Sequence, residues 1–183
     1  DIDFAMARRA EAGRLLDLHA QGRIPLRVTH NDTKLNNILF DDVTNEGICV
    51  IDLDTIMPGF SLYDFGDAIR FGGNTTREDD DNLDNVNISL ELFESYAEGF
   101  LSASAKALTI DEVENLAFSA KLMTLECGIR FLTDYLDGDV YFRTHYEGHN
   151  LVRARNQFKL VYEIEQHMEE MNEIVKNIYN KYK

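Results

Sequence analysis

Residues 28–54 constrain the fold of this chain most, because they place closely spaced polar side chains between short apolar runs. Three runs are typical of β-strands: Leu26–Thr29, Asn37–Phe40 and Gly47–Leu53. The polar segment Asp41–Glu46 separates the last two runs, which predicts a small hairpin. The polar side chains are therefore expected in loops at the ends of these strands.

Most of the remaining chain is predicted to be helical, because its apolar residues recur at helical spacing. A capping box, Thr109-Ile110-Asp111-Glu112, marks one helix start. The polar stretch Gly72–Asn87 has no periodicity and is expected to be a surface excursion. The expected helices are Phe4 to about Gln21, one within Ser61–Phe71, one carrying Ile88 to Phe100, one from the capping box to about Leu136, and Ala154 to about Tyr182. The predicted fold class is mainly α with a small β-hairpin region.

Composition excludes several classes of function. The 183 residues are expected to form one domain, and their formal net charge of −15 would repel the phosphate backbone of a nucleic acid. No apolar run approaches the roughly 20 residues of a membrane span, so no membrane partner and a cytoplasmic location are expected. Cys49 and Cys127 lie in apolar stretches without metal-ligand spacing and are expected to be buried free thiols.

The polar residues of the constraining segment have the form His-x-Asp-(x)4-Asn, followed by an aspartate in the next strand. Phosphoryl transfer needs an acceptor hydroxyl aimed at the γ-phosphate of ATP and metal ions that neutralise its charge. Asp32 is suited to accept the proton of that hydroxyl, and Asn37 and Asp52 are suited to hold Mg²⁺ through oxygen. The alternative is that His30-Asn31-Asp32 forms only a turn, since Asn and Asp are common turn residues. The ordered combination with flanking strands favours the kinase interpretation.

These motifs resemble the aminoglycoside phosphotransferase and choline kinase superfamily, and the resemblance covers nearly the whole chain. Four segments look like the bacterial N-acetylhexosamine 1-kinases: His30–Asn37, Ile51–Gly59, Tyr63–Phe71 and Arg130–Leu136. The resemblance implies a protein-kinase-like C-terminal lobe that transfers the γ-phosphate of ATP, with Mg²⁺, to the anomeric hydroxyl of N-acetylglucosamine or N-acetylgalactosamine. It implies Asp32 as the base and Asn37 and Asp52 as the metal ligands.

The resemblance also implies substrate-binding positions. Lys34 would stabilise the transferring phosphate or contact the sugar, Arg130 and Tyr141 would bind sugar hydroxyls or the N-acetyl group, and Phe71 would supply an apolar face. Two of these have simpler alternatives. Lys34 could be a solvated lysine, and Arg130 could belong to a solvated helix face, the ladder Glu126–Arg130–Asp134 with residues spaced by four.

Four further residues are expected to support the site rather than to catalyse. His30 is expected to fix the loop backbone by hydrogen bonding, and Asp64 and Asp67 to brace the loop. Asp54 is a candidate to assist metal binding.

Kinases of this superfamily have an N-terminal β-lobe with a phosphate-covering loop and a lysine that grips the nucleotide. No Gly-x-Gly-x-x-Gly occurs in this sequence, so the chain is expected to be the C-terminal lobe over residues 1–183 and to be inactive alone. Two alternatives stay open: a kinase of another small alcohol, such as an aminoglycoside or amino alcohol, and a non-catalytic sugar-binding lobe.

Overall fold

The computed structural model describes residues 1–183 and contains eight α-helices and four short strands. The helices are α1 (Ile2–Ala7), α2 (Arg14–Ala20), α3 (Ser61–Gly72), α4 (Leu90–Ser104), α5 (Ile110–Val113), α6 (Leu116–Leu136), α7 (His149–Gln166) and α8 (Met168–Tyr182). The strands are β1 (Arg27–Thr29), β2 (Ile38–Phe40), β3 (Gly47–Val50) and β4 (Met57–Gly59). The predicted fold class, mainly α with a small hairpin region, is confirmed.

The strands form two separate antiparallel pairs rather than one sheet. β2 pairs with β3, with Ile38 opposite Val50, which confirms the predicted hairpin. β1 pairs with β4, with Val28 opposite Pro58, and this second pair was not predicted. The sequence of β4, Met57-Pro58-Gly59, argues against a strand because proline cannot donate to a ladder and glycine weakens one. In a two-stranded pair both strands are edge strands, so β4 can tolerate a proline that does not donate to a ladder.

The helical core lies away from the strands. Their side chains are largely solvent-exposed, with Val28 83% and Ile48 65% exposed. Cys49 in β3 is exposed too, because no helix covers the hairpin, and the prediction that it is buried is therefore wrong. Cys127 on α6 is partly buried.

α6 is the central element of the core and packs against both α3 and α7. Leu116, Ala120 and Phe131 are buried as predicted, whereas Met123 is only partly buried. Phe65 of α3 is fully buried and meets the rings of three aromatic residues edge-on: Phe93, Tyr96 and Phe100 of α4. No helix combines the length and the apolar character that a membrane crossing requires.

Three predicted helices are interrupted in the structure. The first is split between α1 and α2 by a 3₁₀ turn at Arg9–Glu11. The second begins as the single turn α5 and resumes at Leu116, after Asn115 departs from helical geometry (φ −109°, ψ 6°). The last is broken at His167 (φ −102°). Apolar periodicity continues across such breaks because both halves face one core, so the pattern alone does not locate them.

The capping box at the start of α5 is confirmed. The Thr109 hydroxyl accepts a hydrogen bond from the Glu112 amide, and the Glu112 carboxylate accepts one from the Thr109 amide at 2.7 Å. Glu112 is 1% exposed, and its carboxylate also accepts hydrogen bonds from Arg27 of β1 and Ser61 of α3. Burial opposes its charge, but these hydrogen bonds outweigh burial and hold its pKa below the usual range. This carboxylate therefore joins β1, α3 and α5.

The closest approach between α3 and α6 occurs at Gly66. A Cβ atom at this position would meet the Ser119 carbonyl oxygen and would lie 2.7 Å from Cγ of Met123. Only a hydrogen atom fits between the two helices there, so Gly66 sets how closely α3 can pack on α6.

We expect Gly66→Ala to lower the free energy of unfolding by about 1–3 kcal/mol, because the new methyl group must displace backbone. Gly72→Ala in the same helix is the matched control. A Cβ at Gly72 meets nothing within 4 Å, so this variant should be neutral or more stable by roughly 0.5–1 kcal/mol. Urea denaturation of both variants measures the difference. Equal stability of the two variants would contradict the packing role of Gly66.

Candidate active site

The loop between β1 and β2 carries Asp32 and has little regular structure of its own, so its backbone depends on α3. The two oxygens of the Asp64 carboxylate each accept one amide hydrogen bond, from His30 at 2.8 Å and from Asn31 at 2.8 Å. Asp67 accepts a third, from the Thr33 amide at 3.1 Å. The first two turns of α3 therefore fix the backbone on both sides of Asp32.

His30 ties this loop to the end of β3. Its Nε2 lies 3.0 Å from the Ile51 carbonyl oxygen, which requires the proton on Nε2. The Thr55 hydroxyl donates to the His30 carbonyl oxygen at 2.6 Å. The imidazole Nδ1 is buried and has no hydrogen-bond partner in the protein. His30 thus connects the two backbone segments that carry Asp32 and Asp52.

The Asp32 carboxylate is held by two donors. Lys34 Nζ and Asn37 Nδ2 each donate to its Oδ2 at 2.8 Å. Burial of Asp32 opposes ionisation, but these two hydrogen bonds outweigh it, and the pKa of Asp32 lies below its usual range. The side chain is 28% exposed, so the ionised carboxylate remains reachable from solvent.

Asn37 is oriented by the same contacts. Its Nδ2 donates to the carbonyl oxygen as well as the carboxylate of Asp32, both at 2.8 Å, which leaves the amide oxygen Oδ1 without a protein partner. The residue is 6% exposed. Its carbonyl oxygen accepts from the Ile51 amide at 2.9 Å, so Asp52 follows directly after the residue paired with Asn37.

Asp52 lies two residues beyond the end of β3, not within the strand as predicted, and its backbone is in the left-handed region, with φ 63° and ψ 52°. Its exposed carboxylate accepts no hydrogen bond from the protein, and Asp54 in the following 3₁₀ turn is exposed too. The protein does not bring three or more His, Cys, Asp or Glu side chains together as a metal cage. Two oxygen donors fit Mg²⁺, which keeps several waters and takes phosphate oxygens rather than a full set of protein ligands.

Arg130 and Tyr141 lie together at the C-terminal end of α6. The Arg130 guanidinium carbon is 5.8 Å from the centroid of the Tyr141 ring and 5.3 Å from that of Phe142. Arg130 also pairs with Glu126 at 3.7 Å, with both side chains about half exposed. It lines two cavities, one of about 280 Å³ that also contains Tyr141, and one of about 490 Å³ that also contains Tyr63.

Tyr63 lines the larger cavity and directly precedes Asp64 in α3. The same turn of α3 therefore contacts this cavity and the loop that carries Asp32. Burial and the nearby Glu126 carboxylate raise the pKa of Tyr63, so its hydroxyl stays protonated. The larger cavity has mostly apolar walls and contains these residues: Ala12, Tyr63, Leu122, Met123, Leu125, Glu126, Ile129 and Arg130. Tyr63 was not singled out from the sequence, because an aromatic residue in an amphipathic helix gives no separate signal.

The prediction that Asp134 belongs to a solvated ladder with Glu126 and Arg130 is wrong. Asp134 is 5% exposed and accepts three consecutive amide hydrogen bonds, from residues 140, 141 and 142, at 3.0, 2.7 and 2.9 Å. It also accepts from Asn150 of α7. Burial opposes its charge, but these donors hold the pKa of Asp134 below the usual range. Asp134 therefore fixes the backbone that presents Tyr141.

Phe71 lies in the last turn of α3, seven residues after Asp64 and four after Asp67, and so shares a helix face with both. It is half-buried and stacks on no other aromatic ring. The structure thus links one group of predicted residues by hydrogen bonds: His30, Asp32, Lys34, Asn37, Asp64 and Asp67. Asp52 follows Ile51, whose backbone is hydrogen-bonded to His30 and Asn37, and Arg130 with Tyr141 forms a second group at the end of α6.

The comparison with known protein families agrees with this division. A model of the phosphotransferase enzyme family, APH, matches residues 2–99. The matched region contains Asp32, Asn37 and Asp52 together with all of α3, whereas Arg130 and Tyr141 lie beyond it. The match covers more than half of the 183 residues. The chain therefore belongs to the phosphotransferase enzyme family.

Proposed function

We propose that this chain is the catalytic and acceptor-binding lobe of an ATP-dependent kinase that phosphorylates a sugar, at the anomeric hydroxyl of an N-acetylhexosamine. The observation that carries the proposal is the Asp32 carboxylate, fixed by Lys34 and Asn37 on a loop that is hydrogen-bonded to Ile51, the residue before Asp52. Membership in the phosphotransferase enzyme family supports the type of reaction.

Asp32 acts as the base for the acceptor hydroxyl. Both of its donors use Oδ2, so Oδ1 is free to accept the hydrogen bond of the hydroxyl. The lowered pKa keeps Asp32 ionised, so that it can accept this hydrogen bond and orient the hydroxyl toward the phosphate. The positive charge of Lys34 beside this carboxylate is placed to stabilise negative charge on the transferring phosphoryl group.

Asn37 and Asp52 hold Mg²⁺ through Oδ1 and a carboxylate oxygen. The metal, when bound, neutralises charge on the phosphate groups of ATP. The donation from Asn37 Nδ2 to Asp32 keeps the amide in the orientation that exposes Oδ1. Asp54, two residues after Asp52 in the 3₁₀ turn, would assist metal binding.

The acceptor occupies the cavities beside Arg130. Their volumes, about 280 and 490 Å³, fall together in the range of small-molecule sites, roughly 300–1,000 Å³. Arg130 supplies hydrogen-bond donors for sugar oxygens or the acetamide carbonyl, and Tyr141 supplies an apolar face, whereas Phe71 lines neither cavity. The cavity walls also carry Glu126, Asp134 and Asp137, so their charge does not separate a neutral sugar from a cationic aminoglycoside or amino alcohol, and the resemblance to the N-acetylhexosamine 1-kinases carries that choice. The combination of Asp32, Asn37 and Asp52 favours catalysis over sugar binding alone.

The remaining side of the triphosphate is held by groups outside these 183 residues, in a nucleotide-binding lobe of the same gene product. This part of the proposal follows from the lack of a glycine-rich phosphate loop in the sequence. Kinetic experiments therefore use the complete gene product, and binding experiments can use the 183-residue chain.

We expect calorimetry to show weak binding of N-acetylglucosamine or N-acetylgalactosamine to the 183-residue chain. Arg130→Met should weaken this binding at least about tenfold, because it removes charged hydrogen-bond donors from the site. Arg143→Met, an exposed arginine in the segment that presents Tyr141, is the matched control and should bind as the wild type does. Tighter binding of a cationic aminoglycoside than of either sugar would contradict the proposed acceptor.

We expect Asp32→Asn in the complete gene product to lower kcat about 10²- to 10⁴-fold while KM for ATP changes less than about twofold. Asp52→Asn should instead raise KM for ATP about tenfold or more, and added Mg²⁺ should partly restore activity, because the variant loses a charged metal ligand. Steady-state kinetics at several Mg²⁺ concentrations measure both. If the two variants had the same kinetic profile, the separate roles of base and metal ligand would be wrong.

We expect the 183-residue chain alone to release no ADP above background in a coupled assay with ATP, Mg²⁺ and an N-acetylhexosamine. Without the nucleotide-binding lobe over the site, the triphosphate stays in water, and the solvent screens its electrostatic attraction to the metal site. Turnover at ordinary enzyme rates that Asp32→Asn abolishes would show that no further lobe is needed.

A further inference from the structure

Arg70 of α3 lies at the centre of an ion-pair network that the catalytic roles above do not use. Its Nε donates to Oδ1 of Asp67 at 2.9 Å, and its Nη1 donates to Oε1 of Glu78 at 2.6 Å. The side chain is 12% exposed. The sequence contained one signal for this contact, since Asp67 and Arg70 are three residues apart on a helix.

Asp67 uses its two oxygens in different directions. Oδ1 accepts a hydrogen bond from Arg70, and Oδ2 accepts one from the amide of Thr33, the residue after Asp32. The guanidinium therefore limits the rotation of the carboxylate and keeps Oδ2 aimed at the catalytic loop. A partly buried carboxylate that loses its charged partner reorients or becomes solvated.

Glu78 comes from the loop between α3 and α4, residues 73–89, here called the α3–α4 loop. α7 holds this loop in place. The side-chain amide of Asn156, which is 0% exposed, donates to the carbonyl oxygens of Arg77 and Asp80 on either side of Glu78, at 3.0 and 3.1 Å. Asn74 donates to Asn156 Oδ1 at 3.2 Å. Glu78 is thus presented to Arg70 from a fixed backbone.

We propose that Arg70 is a positioning residue for the phosphotransfer site: held by Glu78 of the α3–α4 loop, it fixes Asp67 and through Asp67 the backbone beside Asp32. The α3–α4 loop, which the sequence suggested was only a surface excursion, then contributes to catalysis without touching substrate. The kinetic part of this inference rests on the proposed function, and the positioning part rests only on the contacts above.

The test compares Arg70→Met, Arg70→Lys and Glu78→Gln with a matched control, Arg77→Met. Arg77 is an exposed arginine in the same loop, and its side chain makes no hydrogen bond. Amide exchange at Thr33, measured by NMR on the labelled 183-residue chain, reports the contact directly. We expect Arg70→Met to speed Thr33 exchange about tenfold or more, Glu78→Gln to speed it less, and Arg77→Met to leave it unchanged.

In the complete gene product, Arg70→Met should lower kcat about tenfold, with KM for ATP and acceptor within about twofold of the wild type. The kcat of Arg70→Lys should lie between that of Arg70→Met and that of the wild type. Lysine keeps the positive charge but lacks the planar guanidinium that binds both carboxylates. A merely structural role would lower stability without this separation of kcat from KM.

Unchanged Thr33 exchange in Arg70→Met, with α3 still protected, would overturn the positioning role. If Arg70→Met exposes the whole of α3, Glu78→Gln decides, because it leaves the pair between Asp67 and Arg70 in place; unchanged Thr33 exchange in that variant would overturn the role of the loop. A wild-type gene product without kinase activity would refute the proposed function, while the exchange result would still decide whether Arg70 fixes the loop.

Discussion

The site depends above all on one carboxylate that satisfies two consecutive backbone amides. His30 and Asn31 lie where the chain leaves β1, and Asn31 has a positive φ of 64°, so neither amide can join a strand ladder there. Asp64 gives both amides a hydrogen-bond partner and so fixes the backbone at this point. The irregular loop acquires the rigidity of α3, and α3 is in turn set against α6 by the close approach at Gly66.

The segment that presents Tyr141, which we propose contacts the acceptor, is held by hydrogen bonds of the same kind. Asp134 of α6 accepts three consecutive amides from the segment that presents Tyr141, as Asp64 of α3 accepts two from the segment that presents Asp32. Since α3 and α6 pack directly on each other, their contact fixes the separation between the two irregular segments. The geometry of the site is therefore determined by the helical core, although almost none of its reactive side chains belong to that core.

Interactions that leave a regular sequence signal were predictable, and contacts without such a signal were not. The capping box at Thr109 joins residues three apart and the β2–β3 hairpin pairs residues 7 to 12 apart across one polar turn, and both predictions are confirmed. The partners of Asp134 are six or more residues away in irregular backbone, so helix periodicity placed this residue on the wrong surface. The β1–β4 pair was not predicted for a related reason, because its partners are 28 or more residues apart and the residues of β4 have a low β-propensity. Asp32, Asn37 and Asp52 could be proposed from the sequence because phosphoryl transfer, the proposed reaction, calls for those residue types in that order.

The left-handed backbone at Asp52 narrows the range of side chains that this position can accept. A residue with an ordinary Cβ pays about 1–2 kcal/mol to adopt such dihedral angles, whereas glycine, asparagine and aspartate adopt them more readily. Of these three, only aspartate brings a negative charge. The backbone conformation thus accepts aspartate, and the proposed metal binding requires it. The other two residues that the backbone accepts readily, asparagine and glycine, both remove the charge. A lineage that lost catalysis could therefore keep this corner of the fold intact, with asparagine or glycine in place of the aspartate.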